Sequence, residues 1–384
     1  MPKFVDTRDE SILPVQGKNL VLFHPHVPES AIAGVADTLR TRWIGQGPKV
    51  EQFEESFRVA LGSSHFPVAV GSCTDAIHLA YVLCNLQPGD EVIVPVFTCT
   101  ATNIPLLYHG VRIRFADAQR ETMNIDPRHV RSLVTDRTRA IVCVHYGGLP
   151  CDMDELTTIA TEAGVPLIED AAQAVGASYK GVPVGAMSDF TAFSFQAIKH
   201  ITTGDGGMLM IRDPQLVAKT KRIRWFGIDR EAKQGGTWQN DISEVGYKYQ
   251  MTDIGAAMGL AALETLDEVL DLRKSILARY IQRLQGIHGI DVVGANFKDR
   301  VHAAWLCTVL VDRRKDLERK LRDAAIESGQ VHFRNDRYSV FAKYREDELP
   351  NMNALEERYL VLPLHTHMSV ADADRVCDVI QSGW

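Results

Sequence analysis

The sequence predicts an α/β fold: a mostly parallel central sheet flanked by helices, followed by a smaller α+β C-terminal domain. Three observations carry this reading. Short β-rich runs alternate with helical patterns between residues 68 and 212, and strand, helix, strand order leads to parallel pairing. The runs IVCV at 141–144 and PLI at 166–168 are apolar without alternation, as in strands covered by helices on both faces. After Asp253 the pattern turns to a long helical stretch with few strand-like runs.

Taken in order, residues 50–61 place Val50, Phe53, Phe57 and Leu61 on one face at helical spacing, just after the turn-forming GQGP at 45–48. Strands are expected at 68–70, 91–96, 111–116, 140–145, 166–170, 190–195 and 208–212. A helical stretch follows from 253 to about 285. A strand is expected at 303–311, and helices near 315–328 and 369–381. The expected division is a large α/β domain at 15–245 and a small α+β domain at 246–384. No repeat of 20–50 residues is visible, which sets aside solenoids and propellers.

Composition narrows the function. The 384 residues are 45% hydrophobic and 24% charged, which suits a globular chain with a substantial core. A net charge of −7 disfavours a nucleic-acid-coating protein and leaves room for local positive sites. Residues 1–10, MPKFVDTRDE, lack the basic start and apolar run of a signal peptide, so a cytoplasmic chain is expected. The most apolar stretch, 255–263, is broken by Glu264 and is too short to span a bilayer. Seven scattered cysteines with no CxxC pair indicate reduced thiols rather than a disulfide framework or zinc ribbon. Cys143, His145 and Cys151 match no standard metal spacing, and no metal is expected.

Three segments carry chemistry. In AVGSCTDAIHLA at 69–80, a strand runs through small polar residues into a helix, whose first-turn N–H groups suit an anion such as phosphate. In PLIEDAAQA at 166–174, two carboxylates end an apolar strand at the sheet edge where open parallel sheets place ligands. In FSFQAIKHITTGDGG at 193–207, Lys199 sits between a buried-looking strand and a glycine-rich turn, flanked by Ile198 and Ile201. Loss of hydration lowers an ammonium's pKa, which a lysine needs to form a Schiff base. A phosphate-binding helix start, a strand-end Asp and such a lysine, in that order, are the parts of a pyridoxal-phosphate site.

These segments, with WIGQGPKVEQFE (43–54), GDEVIVPVFTCTATN (89–103) and VGYKYQMTDIGAAMGLAAL (245–263), resemble the DegT/StrS-type nucleotide-sugar aminotransferases of the aspartate aminotransferase fold, fold type I. The resemblance runs from about Pro25 to the C-terminus. It implies pyridoxal 5'-phosphate, present as pyridoxamine 5'-phosphate in the half-reaction, with Lys199 as the Schiff-base lysine and Asp170 as the pyridinium partner. It places Gln173 near the ring oxygen, and Ser194 with the turn Ser72, Cys73 and Thr74 at the phosphate. Cys99 stands where relatives carry an aromatic that stacks on the ring, so that cover falls to Cys99 or another residue such as Phe97. Lys248 stands where relatives have an Asn reaching the phosphate from the partner subunit, which implies a homodimer with shared sites.

The implied reaction converts a nucleotide-linked keto-sugar to the amino-sugar with glutamate as amino donor. Candidate substrate contacts are Gly45, Gln46, Gly47, Trp225, Phe226, Arg230, Arg334 and His365, with Arg224 and Arg337 as further charges. Two alternatives stay open. One branch of the family replaces the lysine with His and dehydrates its substrate, whereas here Lys199 is kept and His200 is only its neighbour. The other is a non-catalytic regulatory protein on the same fold.

Overall fold

Seven strands form the central sheet in the order Phe66–Val70, Gly207–Ile211, Phe190–Ser194, Leu167–Asp170, Thr138–Val144, Glu91–Pro95, Arg112–Ala116. This computed structural model describes residues 19–239, 241–345 and 348–384, so the N-terminal segment behind the cytoplasmic expectation lies outside the described residues. Only Gly207–Ile211 runs antiparallel to its two neighbours, and the other pairings in the sheet are parallel. The seven expected strands are these seven, with bounds that differ by one or two residues. Most of their side chains are buried on both faces because helices cover both, which is why IVCV and PLI show no alternation.

The helix Pro48–Leu61 buries Val50, Phe53, Phe57 and Leu61, as its spacing predicts, and Gly62 ends it in the left-handed region. Phe53 lies against Gly259 of the helix Asp253–Glu264 so closely that a Cβ on Gly259 would sit 2.6 Å from the ring. Gly259 thus lets the two helices approach closely. The helix Glu29–Leu39, which carries no strong pattern in the sequence, packs on the same helix.

A single helical stretch from 253 to 285 was the expectation, and the structure corrects it. Thr265 breaks the stretch, with φ −109° and ψ 8°, and the second helix, Leu266–Leu284, packs on the helix Val370–Gln381 instead. The latter starts at a capping box in which Ser369 and Asp372 each satisfy the other's backbone N–H. A second, antiparallel sheet joins Ile290–Val292, Cys307–Val311 and Tyr359–Leu362. The strand expected from 303 therefore starts only at Cys307. Residues 303–306 instead form a bend, with Ala304 at φ +55°, whose N–H groups donate to the carbonyls of Gly147 and Gly148. The helix expected at 315–328 is Arg314–Asp323. Among the described residues no helix is long and apolar enough to cross a membrane.

Candidate active site

Parallel strands point their carboxyl ends the same way, so residues far apart in sequence gather at one sheet edge. Asp170 ends its strand, in register with Val144 on one side and Ala192 on the other, and Ser194 lies two residues beyond Ala192. Ser194 pairs across the sheet with Gly207. A Cβ on Gly207 would sit 2.5 Å from the carbonyl of Ser72 and 2.6 Å from the amide of Cys73, so only glycine lets the strand touch the helix start. That contact brings Ser194 to the turn Ser72–Thr74.

The chemistry of the turn suits an anion. Ser72 caps the helix Cys73–Leu83 by accepting from the Asp75 amide at 3.1 Å. The amides of Cys73 and Thr74, in the first turn, have no carbonyl one turn back to receive them. Ser194 accepts a long 3.4 Å bond from the Gln196 amide, and its hydroxyl proton is not needed for that bond. Two backbone N–H groups, a hydroxyl and the positive end of a helix suit a phosphate ester.

Lys199 follows in a tight turn closed by its own amide on the Gln196 carbonyl. Its Nζ lies 3.6 Å from the centroid of the Trp305 ring. Burial pushes the amine down to about 8, against the opposing pull of Cys73, Asp170 and Cys99 and with the help of Arg273. Trp305 is itself fixed: its indole N–H donates to the Ile198 carbonyl at 3.3 Å, and its ring stacks with Phe23 and with His332.

Asp170 is 4% exposed, and burial raises its pKa. The Thr102 hydroxyl donates to Oδ2 at 2.7 Å and the Ala172 amide to Oδ1 at 3.0 Å, both favouring the carboxylate. Gln173 accepts the Gly147 amide at 2.6 Å and places its amide nitrogen 2.9 Å from His332 Nε2. An amide NH2 only donates, so His332 Nε2 must accept, and burial pushes that imidazole down to about 3. One N–H of Gln173 is left for a further acceptor. His200, next to Lys199, turns away and donates from Nε2 to the Ala303 carbonyl at 2.8 Å.

Cys99 is exposed at the start of a short helix, Thr100–Asn103, and lies within electrostatic reach of Lys199. Phe97, offered as an alternative ring cover, is committed to the core, edge-on to Tyr146 and Tyr359 at 5.0 Å each. Lys248 is exposed, pairs with Trp225 through a backbone bridge and holds its ammonium 5.4 Å from the Phe226 ring.

The expected substrate contacts divide. Gln46, Gly47, Trp225 and Arg230 come together on a cleft of about 980 Å³, where Arg230 donates to the Gln46 carbonyl and its guanidinium lies 5.4 Å from the Trp225 ring. Gly47 cannot offer its amide to a ligand, because that N–H donates to Asp253 Oδ1 at 2.7 Å, and the Gly45 carbonyl accepts the Asp253 amide. Phe226 is 42% exposed beside Trp225.

Arg334 and His365, by contrast, are already engaged. Arg334 grips Asp336 through two bonds of 2.8 and 2.9 Å and also pairs with Glu356. His365 donates from Nε2 to the Val21 carbonyl at 3.1 Å and accepts the His367 amide at Nδ1. Arg224 is buried against Glu54, and Arg337 pairs with Glu356. Each of these four ties chain segments together as placed.

Cys143, His145 and Cys151 do meet, with ligand-type atoms within 4.8 Å of one another. His145 however spends both ring nitrogens, one on Glu169 at 2.7 Å and the other accepting the Cys151 amide at 3.1 Å. The imidazole has no lone pair left for an ion. Sequence reasoning assigned no role to Thr102, Trp305 or His332. The first lies inside a quoted motif, but the others reach Lys199 and Gln173 from more than 100 residues away, with no local signal.

The sheet order, the strand-edge acid, the desolvated lysine and the anion cradle define a fold type I pyridoxal-phosphate enzyme. The chain belongs to the DegT/DnrJ/EryC1/StrS aminotransferase family, whose model matches residues 25–381. It is 33% identical over 94% of its length to the UDP-4-amino-4-deoxy-L-arabinose–oxoglutarate aminotransferase of Shewanella sediminis, covering 97% of that protein. It superposes on the solved structure of AtS13 from Actinomadura melliaura with a TM-score of 0.91 at 36% identity, over 96% of this chain and 100% of that one. A putative sugar aminotransferase of Streptococcus pneumoniae, Spr1654, solved in its PLP form, matches with a TM-score of 0.89 at 28% identity over 95% and 98%. The protein is a sugar aminotransferase that uses pyridoxal phosphate.

Proposed function

We propose that the protein aminates a nucleotide-linked keto-sugar with glutamate as donor, through Lys199, in a homodimer with shared sites. The observation that carries this reading is the meeting of Lys199, Asp170 and the Ser72–Thr74 and Ser194 cradle at one sheet edge. In the division proposed for the chain, the unit at 15–245 holds these groups, and the unit at 246–384 sends Trp305 and His332 against them.

Pyridoxal phosphate, when bound, supplies a carbonyl that takes up the donor's amine and a ring that draws electrons from the reacting carbon. Lys199 would anchor it and, with its amine free, would carry a proton at Nζ between the substrate carbon and the cofactor carbon. An amine near 8 suits both directions at neutral pH. The Trp305 face keeps water from that amine on one side. Asp170 would hold negative charge for the pyridine nitrogen, and Gln173 would offer its remaining N–H to the ring oxygen. The Cys73 and Thr74 amides and the Ser194 hydroxyl would hold the phosphate, and Lys248 of the partner subunit would add a positive charge there.

For the nucleotide, the cleft of Gln46, Trp225 and Arg230 offers a guanidinium and an indole face. Glutamate as donor follows the relative from Shewanella sediminis, whose name pairs its amino-sugar with oxoglutarate, the keto acid left by glutamate.

The test is purified protein with glutamate and a panel of nucleotide-linked keto-sugars, followed by mass spectrometry. Formation of an amino-sugar only with glutamate is the expected result. Loss of water without glutamate would instead identify a dehydratase, and equal kcat/KM for free and nucleotide-linked sugars would remove the nucleotide from the reading.

A further inference from the structure

Asp170 accepts the Thr102 hydroxyl at 2.7 Å, and Thr102 in turn lies 2.9 Å from the Thr98 hydroxyl. An ionised carboxylate can only accept, so the Thr102 proton points at Asp170. Thr102 then has only its oxygen lone pairs for Thr98, and Thr98 must be the donor of that bond. The result is a directed chain, Thr98 O–H to Thr102 O–H to Asp170. All three residues are buried, where such chains polarise in one direction and strengthen.

The chain has a fixed base. Residues 97–98 pair with the short strand Phe333–Arg334, and Asn335 donates through its side chain to the Thr98 carbonyl at 2.8 Å. Asn335 also accepts the Asn103 side chain at 3.0 Å and donates its own amide to the Val96 carbonyl at 2.7 Å. A segment more than 200 residues downstream therefore holds the turn that carries both threonines.

We propose that Thr102, oriented by Thr98, is the positioning residue that keeps Asp170 ionised and aimed for the pyridine nitrogen of the cofactor. Burial works against the carboxylate, and the groups that face it are Lys199, His145, Cys73, Cys143 and Tyr81. Of these Lys199 brings positive charge, and His145 spends both ring nitrogens on Glu169 and the Cys151 amide. Cys73 Sγ lies 4.0 Å from Oδ1, at the outer limit of a weak bond. Thr102 supplies the shortest bond that Asp170 accepts from any side chain. The inference rests on the proposed role of Asp170 at the cofactor, and its test separates the two.

The variants are Thr102→Val, which keeps the shape and removes the hydroxyl, and Thr102→Ser, which keeps the hydroxyl. In cofactor-free protein labelled with 13C at aspartate carboxyls, Thr102→Val is expected to raise the Asp170 titration midpoint by about one to two pH units, with Thr102→Ser unshifted. Asp170→Asn assigns the signal. In the loaded protein, the same Val variant is expected to weaken pyridoxal phosphate binding about tenfold, with Ser restoring it. An unshifted Asp170 in Thr102→Val, or equal shifts in Val and Ser, overturns the proposal. A shifted Asp170 with unchanged cofactor affinity keeps the hydroxyl chain but overturns its purpose, and with it the role of Asp170. If Thr102→Val does not fold, Thr98→Val is expected to move the midpoint the same way by a smaller amount, and no movement there is equally fatal.

Discussion

A lysine acts as a nucleophile only when its amine is neutral, and an exposed lysine is almost wholly charged at neutral pH. At Lys199 burial outweighs the nearby acids and the Trp305 ring, all of which favour the charged form, and the amine falls to about 8. In the cofactor-free protein, labelling of Lys199 by an amine-reactive reagent, followed by peptide mass spectrometry, should rise tenfold per pH unit and level off above pH 8. A plateau only near pH ~10.4, the ordinary lysine value, would show that desolvation does not govern this amine. The apolar flanks Ile198 and Ile201 made this shift legible in the sequence. The ring that covers the amine was not, because Trp305 arrives from a bend whose geometry depends on Gly147 and Gly148. Similarly, the sequence offers an arginine or histidine as a candidate substrate contact without showing its partners. Arg334 and His365 turned out to spend their donors on Asp336, Glu356 and the Val21 carbonyl.

At the scale of elements, the strand Gly207–Ile211 and the helix Cys73–Leu83 meet end to side, and Gly207 sets their distance. Gly207→Ala puts a methyl group 2.5 Å from the Ser72 carbonyl, so strand and turn must part. Overpacking of this kind costs about 1–3 kcal/mol, and here it also displaces the Cys73 amide from Ser194. A fall in pyridoxal phosphate affinity of about tenfold or more is expected, measured by absorbance titration. Unchanged affinity would mean that the cradle is not formed at this contact. The strands were readable because burial on both faces leaves an apolar run with no alternation, and Pro48–Leu61 because its buried face repeats at helical spacing. The break at Thr265 was not readable: Leu263, Leu266, Val269 and Leu270 keep the apolar pattern going across it. The second sheet was partly hidden for a related reason, since Ile290–Val292 and Tyr359–Leu362 are too short to show a period.

At the scale of the molecule, Lys248 is exposed within its own subunit, and Trp238, on the cleft that Trp225 and Arg230 line, is 76% exposed. If Lys248 serves the second subunit's phosphate, mixing inactive Lys199→Ala and Lys248→Ala chains should restore activity, because the mixed dimer contains one site with both native lysines. No recovery in verified heterodimers would place each site within one chain. The family resemblance carried the cofactor residues as a set, and Gln46, Gly47, Trp225 and Arg230 stood out singly in the sequence, but nothing in it showed that 42–48 and 221–238 fold together into one cleft. The most direct test of the account is the position of the covalent link. Borohydride reduction of the protein loaded with pyridoxal phosphate, followed by peptide mapping, should fix the cofactor on Lys199, and a tag on any other lysine would contradict the assignment from which every other role follows.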